Sequence, residues 1–336
     1  MIPFLLLLIC ITVWKLNYIG KEAFFEKPLD LANVVPLKGI CAIEIVLGHA
    51  AGSAPSGELL YINNRIGVWV VGIFFFLSGY GLMKSLHQKK DYLNRFLQLR
   101  LWGIFAPFVI VYILKAALGF HPNFLTEFIS DWFVCEIIII YILWYILYRA
   151  TSERNAFLIM SFLALNLNIF GCIGQIGSRW YGSTACFLVG ILFEKYEANI
   201  YSYIKERYSK FLIMISALFL FLSGVFIFIS DKRYMAAVLI NITCFLLCCI
   251  IYMILMKIQI GNKFLIFFGK ISWGIYLTHR IMLRICCSLT GANAFVWMMM
   301  LLGGTIGLAT IVTVISNFLV RRKIDVICAR SGSKSA

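Results

Sequence analysis

The sequence predicts an all-α, polytopic integral membrane protein, and composition, mean hydropathy and the length of the apolar runs all support this fold class. Of the 336 residues, 62% are hydrophobic and only 13% are charged, and the mean hydropathy is +0.92, which lies far outside the range of soluble domains. Apolar runs of about 17–25 residues have the length that crosses a bilayer as a helix. The seventh run is short enough to be partly re-entrant. We predict eleven spans, at 2–19, 34–52, 66–84, 99–118, 127–149, 156–173, 181–194, 210–230, 235–258, 264–289 and 294–320.

The first span opens the sequence and is followed by three lysines, Lys15, Lys21 and Lys27. It has no basic region before its apolar stretch and no small-residue cleavage site, so we expect it to be retained rather than removed as a signal peptide. Residues 1–30 are therefore predicted to form an N-terminal transmembrane helix and a linker.

The basic residues lie mainly in alternate loops, and this pattern predicts the orientation of the chain. The basic loops lie at 84–100, 149–154, 195–210, 257–270 and 321–323. By the positive-inside rule these loops are cytoplasmic, so we expect the C-terminus inside and, with eleven spans, the N-terminus outside. The formal charge of +15 is then explained by topology, and we expect no binding to nucleic acid. The predicted location is the cytoplasmic (inner) membrane.

The second span carries three ionisable residues, and each such residue inside a membrane is a candidate for function because it costs free energy unless it faces protein or water. Lys38 and His49 lie on one helix face, about 16 Å apart along the axis. Glu44 lies about 140° around the helix from His49 and could contact a neighbouring helix. Two alternatives stay open: Lys38 could extend to the cytoplasmic interface, and His49 could make only a polar contact between helices.

The fifth span opens with two carboxylates, Asp131 and Glu136. We place Asp131 at the outer surface and Glu136 about 7 Å deeper. Asp131 could simply begin a helix in water, whereas a carboxylate at the depth of Glu136 is harder to explain without function.

The tenth span carries a histidine and two arginines. His279 shares a helix face with Ser272 and Tyr276, and Arg280 and Arg284 are i, i+4 neighbours. Arginines that face lipid are costly, so they favour a polar outer vestibule, with extension to the interface as the alternative.

The eleven cysteines favour packing over metal binding or disulfides. Most lie inside apolar spans, where a thiol behaves as a small hydrophobe, and no pair has ligand spacing with a histidine nearby. We therefore predict no metal site. The sequence also has no Walker loop and no dinucleotide fingerprint, so ATP-driven transport and nicotinamide chemistry are disfavoured.

Five segments are similar to the motifs of one known family and follow the order of that family. They are LKGICAIEIVLGHA, GVWVVGIFFFLSGYGL, NRFLQLRLWGIFAPF, DWFVCEIIIIYIL and GKISWGIYLTH. On these segments the chain resembles the acyltransferase-3 family of integral-membrane acyltransferases, from about residue 31 to 320. The resemblance implies a ten-helix core, predicted here at 31–322, with a cytoplasmic tail at 323–336.

The resemblance also implies an activity. Members of the family transfer an acyl group, usually acetyl, from cytoplasmic acyl-CoA to a hydroxyl of a glycan or of a lipid-linked sugar. His49 would be the catalytic histidine, and Lys38 stands where arginine is more usual. Arg95 and Arg100 match the basic cluster near the donor site, and Ser78 begins a Ser-Gly-aromatic motif.

The residue types fit this chemistry. Positive charge on Lys38, Arg95 and Arg100 matches the phosphates of CoA. A neutral imidazole at His49 can accept the proton of a sugar hydroxyl if a carboxylate or a backbone carbonyl fixes its tautomer. Glu44 or Glu136 could play that orienting role. Direct transfer and a relay through an acylated intermediate both stay open.

Outer-facing segments are expected to select the acceptor, and the side from which the acceptor enters stays open. The candidate acceptor-side residues are Asp131, Arg179, Tyr181, His279 and Arg280. Aromatic residues at span ends could stack on sugar rings or anchor the protein at the interface. The expected partners are acyl-CoA (acetyl-CoA as co-substrate), a glycan or lipid-linked sugar and membrane lipids, with no permanently bound cofactor; the oligomeric state stays open. The alternative function is a transporter or flippase for lipid-linked glycans, without covalent chemistry.

Overall fold

Fifteen α-helices make up most of the chain in the computed structural model, which describes residues 2–54, 61–229, 232–289 and 293–332. The fold is therefore all-α, as predicted, apart from one two-stranded ribbon between β1 (Leu16–Tyr18) and β2 (Ile258–Ile260). The helices are α1 (Ile2–Val13), α2 (Leu31–Ala50), α3 (Tyr61–Gln88), α4 (Tyr92–Phe96), α5 (Trp102–Ala117), α6 (Phe124–Ser130), α7 (Trp132–Ala150), α8 (Glu153–Ile173), α9 (Ala185–Lys195), α10 (Glu197–Glu206), α11 (Tyr208–Ile229), α12 (Arg233–Lys257), α13 (Lys263–Lys270), α14 (Ser272–Cys287) and α15 (Ala294–Gly332).

Seven of these helices are long and apolar enough to cross a membrane: α2, α3, α7, α8, α11, α12 and α15. This confirms a multi-pass membrane protein. The predicted spans at 99–118, 181–194 and 264–289 correspond to shorter helices, because α5 has 16 residues, α9 has 11 and α14 has 16. The ten predicted spans after the first each contain a helix.

The first span is shorter than predicted. The sequence predicts a helix over 2–19, but α1 has 12 residues, fewer than the roughly 20 that a typical bilayer requires. The residues that follow form β1, which pairs antiparallel with β2 so that Leu16 lies opposite Ile260. Strand pairing thus satisfies backbone groups that a longer helix would otherwise have satisfied.

Two other predicted spans are each divided into two helices. Within 127–149, Asp131 leaves the helical conformation (φ −80°, ψ 63°) and separates α6 from α7. Within 264–289, Ile271 (φ −103°, ψ 9°) separates α13 from α14.

The last helix extends beyond its predicted end. The final span is predicted at 294–320, with a tail at 323–336, whereas α15 continues to Gly332. Residues 333–336 of that tail lie outside the described residues, as do residue 230 of the eighth predicted span and residue 1.

Two pairs of glycines let helices cross with their backbones in contact. Between α3 and α9, a Cβ on Gly79 would overlap the carbonyl oxygen of Phe187, and a Cβ on Gly190 would overlap that of Phe76. Gly79 is the glycine of the Ser-Gly-aromatic motif, and a glycine at a helix crossing allows the two backbones to approach closely.

The same arrangement joins α2 to α13. A Cβ on Gly39 would overlap the carbonyl oxygen of Leu265, and one on Gly269 would overlap that of Val35. Because α13 leads directly into α14, this crossing also sets the position of α14 beside α2.

The α2–α13 crossing defines the two ends of the molecule. We call the end where α2 begins the Lys38 end and the end where α2 finishes the His49 end. The β1–β2 ribbon lies at the Lys38 end, where the backbone N–H of Ile260 donates to the side chain of Asn33. α2 and α14 both run from the Lys38 end to the His49 end.

A buried lysine ties the N-terminal segment to the Lys38 end. Lys257 is 5% exposed, and its ammonium donates to the carbonyl oxygens of Gly20, Lys21 and Ala23 at 3.1, 2.7 and 2.6 Å. It also lies 3.3 Å from the centroid of the Phe24 ring, close enough for a cation–π interaction. The linker before α2 is therefore held against the end of α12.

Candidate active site

Two histidines from distant parts of the chain meet at the His49 end. The rings of His49, on α2, and His279, on α14, lie with centroids 4.8 Å apart and planes tilted by 36°. His49 is exposed, whereas His279 is 1% exposed. The sequence predicts that both residues are functional, but it does not predict their contact, since 230 positions separate them.

The environment of His279 fixes its tautomer. Its Nδ1 lies 2.5 Å from the carbonyl oxygen of Tyr276, so Nδ1 carries the proton and donates it to that oxygen. Nε2 then keeps a lone pair. That atom is buried without a hydrogen-bond partner among the residues that the structure describes. His279 can therefore accept a hydrogen bond from a ring N–H of His49.

His49 lines a cavity of about 270 Å³ at the His49 end. We call this cavity the His49 cavity. Its walls combine apolar surface from α3, α11 and α12 with polar groups from other elements. The residues that bear on chemistry there are Gly48, His49, Trp132, Ser178, Arg179 and Tyr276. A hydroxyl-bearing molecule placed in this cavity can reach the histidine.

A second cavity, of about 140 Å³, lies toward the Lys38 end, and we call it the Lys38 cavity. Lys38 lines it together with the hydroxyl side chains of Ser78, Tyr141 and Ser272. Tyr276 lines both cavities. Its hydroxyl is buried and has no hydrogen-bond partner within the described part of the chain. The two cavities therefore meet at a free hydrogen-bond donor.

Arg100 supports the Lys38 cavity from an irregular helical segment. Residues Leu97–Leu101 form a π-helical turn between α4 and α5, a feature that is frequent at functional sites. The Arg100 guanidinium donates to the Tyr92 hydroxyl at 2.9 Å and lies 3.4 Å from the Ser85 hydroxyl, and its charge acts on Lys38. Arg95, one turn earlier, is exposed. The structure thus brings Lys38 and Arg100 to the same end.

The two carboxylates predicted to orient His49 occupy different surroundings. Glu136 is 4% exposed and accepts a hydrogen bond from the Thr184 hydroxyl. It lines a further cavity and not the one that contains His49. Glu44 is half-buried on α2, and its role stays a prediction. The ring that the structure places against His49 is that of His279.

The predicted outer vestibule contains an ion pair. Arg280 Nη1 lies 3.4 Å from Asp131 Oδ1, and Lys115 pairs with Glu127 nearby in sequence. The guanidinium of Arg284 lies over the Phe120 ring at 4.4 Å. These contacts explain how arginines are accommodated in α14 near the membrane surface.

The two other acceptor-side candidates differ in position. Arg179 is exposed and lines the His49 cavity. Tyr181 is completely buried and packs against Gly171, with its hydroxyl 3.6 Å from the Cys172 thiol. Tyr181 does not line the His49 cavity, so the structure separates these two neighbours.

Sequence reasoning assigned no role to Tyr276, and it included Trp132 only among the aromatic residues at span ends that could stack on sugar rings or anchor the protein at the interface. Tyr276 carries a visible signal, because it lies three positions before His279 on the same helix face. Trp132 lines the His49 cavity and begins α7 directly after the break at Asp131, which the sequence alone does not reveal. No group of three or more potential metal ligands occurs among the described residues.

Comparison with known proteins gave one finding. A family model described as an acyltransferase domain matches residues 37–316. The matched range contains both cavities, from Lys38 on α2 to α14. Searches of curated proteins and of solved structures gave no match.

Proposed function

The chain belongs to the acyltransferase-3 family, whose domain covers 280 of its 336 residues, and from this premise we propose that it moves an acetyl group from acetyl-CoA to a hydroxyl of a glycan or lipid-linked sugar. That the protein is a membrane acyltransferase follows from the family. The donor, the acyl group and the acceptor are the proposal.

One observation supports the proposal most strongly: Tyr276 lines both the Lys38 cavity and the His49 cavity. A two-substrate transfer needs the reacting groups of both molecules to meet at one point. The phosphates of CoA would bind at the Lys38 end beside Lys38, Arg95 and Arg100. The thioester would lie in the Lys38 cavity and the acceptor hydroxyl in the His49 cavity.

The proposed transfer accounts for every bond that forms or breaks and for the proton that moves. The acceptor oxygen attacks the thioester carbonyl carbon, and the proton of the hydroxyl passes to the free ring nitrogen of His49. The C–S bond then breaks, and the CoA thiolate takes the proton from His49. The product is an ester, and His49 returns to its neutral form.

Two neighbours of His49 would assist these steps. In the reacting complex, His279 Nε2 would accept the other ring N–H of His49, which would direct the basic nitrogen of His49 toward the cavity and stabilise the imidazolium that forms. The Tyr276 hydroxyl donates to the carbonyl oxygen as it gains negative charge. Both atoms lack partners among the described residues, so both are available to the reaction.

The test is acetyl transfer by the purified protein. With acetyl-CoA and a surface-glycan extract, we expect release of free CoA thiol and a mass gain of one acetyl group on the acceptor. His49→Ala should abolish both signals while the protein stays folded. His121→Asn is the matched control, because His121 lines neither cavity and its positive φ of 44° suits asparagine.

The same experiment distinguishes the remaining alternatives. A transporter or flippase would release no CoA thiol, and wild-type protein that releases none with any acceptor would contradict the proposal. Acetyl label that stays on the protein when acceptor is omitted, and is lost in His49→Ala, would favour the relay through an acylated histidine over direct transfer.

A further inference from the structure

A third cavity, lined mainly by apolar side chains, lies between α7, α8 and α9 and has a volume of about 280 Å³. We call it the α8 groove. Its rim is exposed, since Ile139, Leu163 and Leu167 are 55%, 40% and 38% exposed. α8 itself is a candidate membrane span of which only 22% is buried. The groove therefore opens sideways toward the space that lipid occupies.

The α8 groove is polar at one end and apolar along the rest of its length. Glu136 lies at the end nearer the His49 end, and Leu143 lies about 10 Å further along the same helix. Apart from Glu136 and Thr184, the lining consists of alkyl and aromatic side chains. This shape and polarity match an alkyl chain that lies parallel to the helices with its polar group at the His49 end.

Glu136 has one oxygen that the protein leaves unused. One carboxylate oxygen accepts from Thr184, whereas the other is buried and has no partner within the described residues. A buried, unsatisfied carboxylate oxygen is costly. A ligand that donates a hydrogen bond from a hydroxyl close to its apolar chain would remove that cost.

Only one turn separates the α8 groove from the His49 cavity. In the 3₁₀ turn Ser178–Trp180, Trp180 lines the groove, while Ser178 and Arg179 line the His49 cavity. A molecule whose chain lies in the groove can therefore extend its polar part over this turn toward His49.

We propose that the α8 groove binds the single apolar chain of a lipid-linked acceptor, with Glu136 holding a hydroxyl near the chain and the sugar reaching His49 across the Ser178–Trp180 turn. The inference rests on the proposed function and selects the lipid-linked sugar as the acceptor class. The groove lies at the small end of the volumes typical of ligand sites, about 300–1,000 Å³, which suits one chain rather than two.

The test uses purified protein in amphipol and a dodecyl maltoside probe with a photoactivatable diazirine in its alkyl chain. After irradiation, mass spectrometry should find the label on α7 between 136 and 143 or on α8 between 160 and 167. Unlabelled dodecyl maltoside should compete, and maltose should not. Dodecylphosphocholine, which has the same chain length but no hydroxyl, should compete at least tenfold more weakly.

Substitutions in and beside the α8 groove test whether the probe binds there. Leu163→Trp fills the α8 groove and should abolish labelling. Leu165→Trp introduces the same side chain on the other side of α8, which lines a different cavity, and should leave labelling unchanged. Glu136→Gln removes the charged acceptor and should weaken probe binding about tenfold.

Two results would overturn the proposal: equal competition by dodecylphosphocholine, which indicates an ordinary contact with an alkyl chain, or labelling that survives Leu163→Trp. CoA thiol release is measured in the same preparation. A wild-type protein that binds the probe in the groove but releases no thiol with any acceptor would contradict the acyltransferase chemistry and leave the groove assignment standing.

Discussion

His49 and His279 divide two tasks between them, since one ring faces the cavity and the other is held rigidly behind it. A base must present a lone pair to the acceptor in every turnover, and a freely rotating imidazole would do so only part of the time. The buried ring of His279, fixed by the Tyr276 carbonyl, offers an acceptor beside the His49 ring and does not itself line the His49 cavity. We therefore assign His279 a positioning role.

Replacing His279 tests that role. In His279→Leu the acceptor for the His49 N–H is lost, and we expect kcat to fall about 100-fold while the KM for acetyl-CoA changes little. In His279→Gln the amide oxygen can occupy a position near that of Nε2, so we expect kcat to recover in part. Steady-state kinetics with both substrates gives kcat and KM for each variant. Equal losses in the two variants, or an increase only in KM, would contradict the assignment.

Lys38 is expected to act through its charge. Lys38→Met removes the cation beside the Lys38 cavity, and we expect the KM for acetyl-CoA to rise about tenfold, less so at high salt. Lys38→Arg keeps the charge and adds a bidentate donor, so its KM should stay near that of the wild type. A KM that is unchanged in Lys38→Met would show that this lysine does not contact the donor.

At this scale the sequence identified candidate residues but not the contacts between them. Lys38, His49 and His279 were identified because each is costly inside a membrane. The partner of His49 was predicted to be a carboxylate, with Glu44 and Glu136 as candidates, or a backbone carbonyl. Contacts between α2 and α14 depend on helix packing, which local sequence does not encode, so the histidine pair and the bridging position of Tyr276 required the structure.

Among the helices, the glycine crossings hold the site together. Gly79 brings α3 against α9, and Gly39 and Gly269 bring α2 against α13, so the walls of both cavities depend on backbones that touch. Side chains at these points would force the helices apart.

A matched pair of glycine variants tests this dependence. Gly79→Ala places a methyl group against the Phe187 carbonyl, and we expect a loss of about 2 kcal/mol or more in stability, seen as a lower midpoint of thermal unfolding in detergent. Gly81→Ala, on the same helix, has no neighbour within 4 Å of the added carbon and should be neutral or slightly stabilising. Equal midpoints for the two variants would contradict the packing argument.

The sequence predicted the bounds of a helix least well where those bounds depend on contacts with residues far away in the chain. The length of α1 is limited because β1 pairs with β2, more than 200 residues later. The breaks at Asp131 and Ile271 fall inside stretches that were each predicted as a single span, because their average hydropathy resembles that of one straight helix. By contrast, α2, α8 and α11 lie close to their predicted bounds, because their length and apolarity identify them directly.

Across the whole molecule, the sequence pattern and the fold predict that the Lys38 end faces the cytoplasm. Cys287, at the end of α14 on the His49 side, is exposed and provides a natural probe. In intact cells we expect a membrane-impermeant maleimide to label the protein, and Cys287→Ser should remove most of that label. Labelling of Cys287 only after permeabilisation would reverse the predicted orientation.

The shared wall at Tyr276 has a consequence for the cell's energy supply. If the proposed reaction takes its donor from one side of the membrane and its acceptor from the other, the protein must transfer the acetyl group without letting protons leak along the same path. Tyr276 lines both cavities, so its ring is expected to limit the passage of water and ions between them. Tyr276→Ala should therefore do more than slow the reaction: proteoliposomes containing it should lose an imposed pH difference faster than those with wild-type protein.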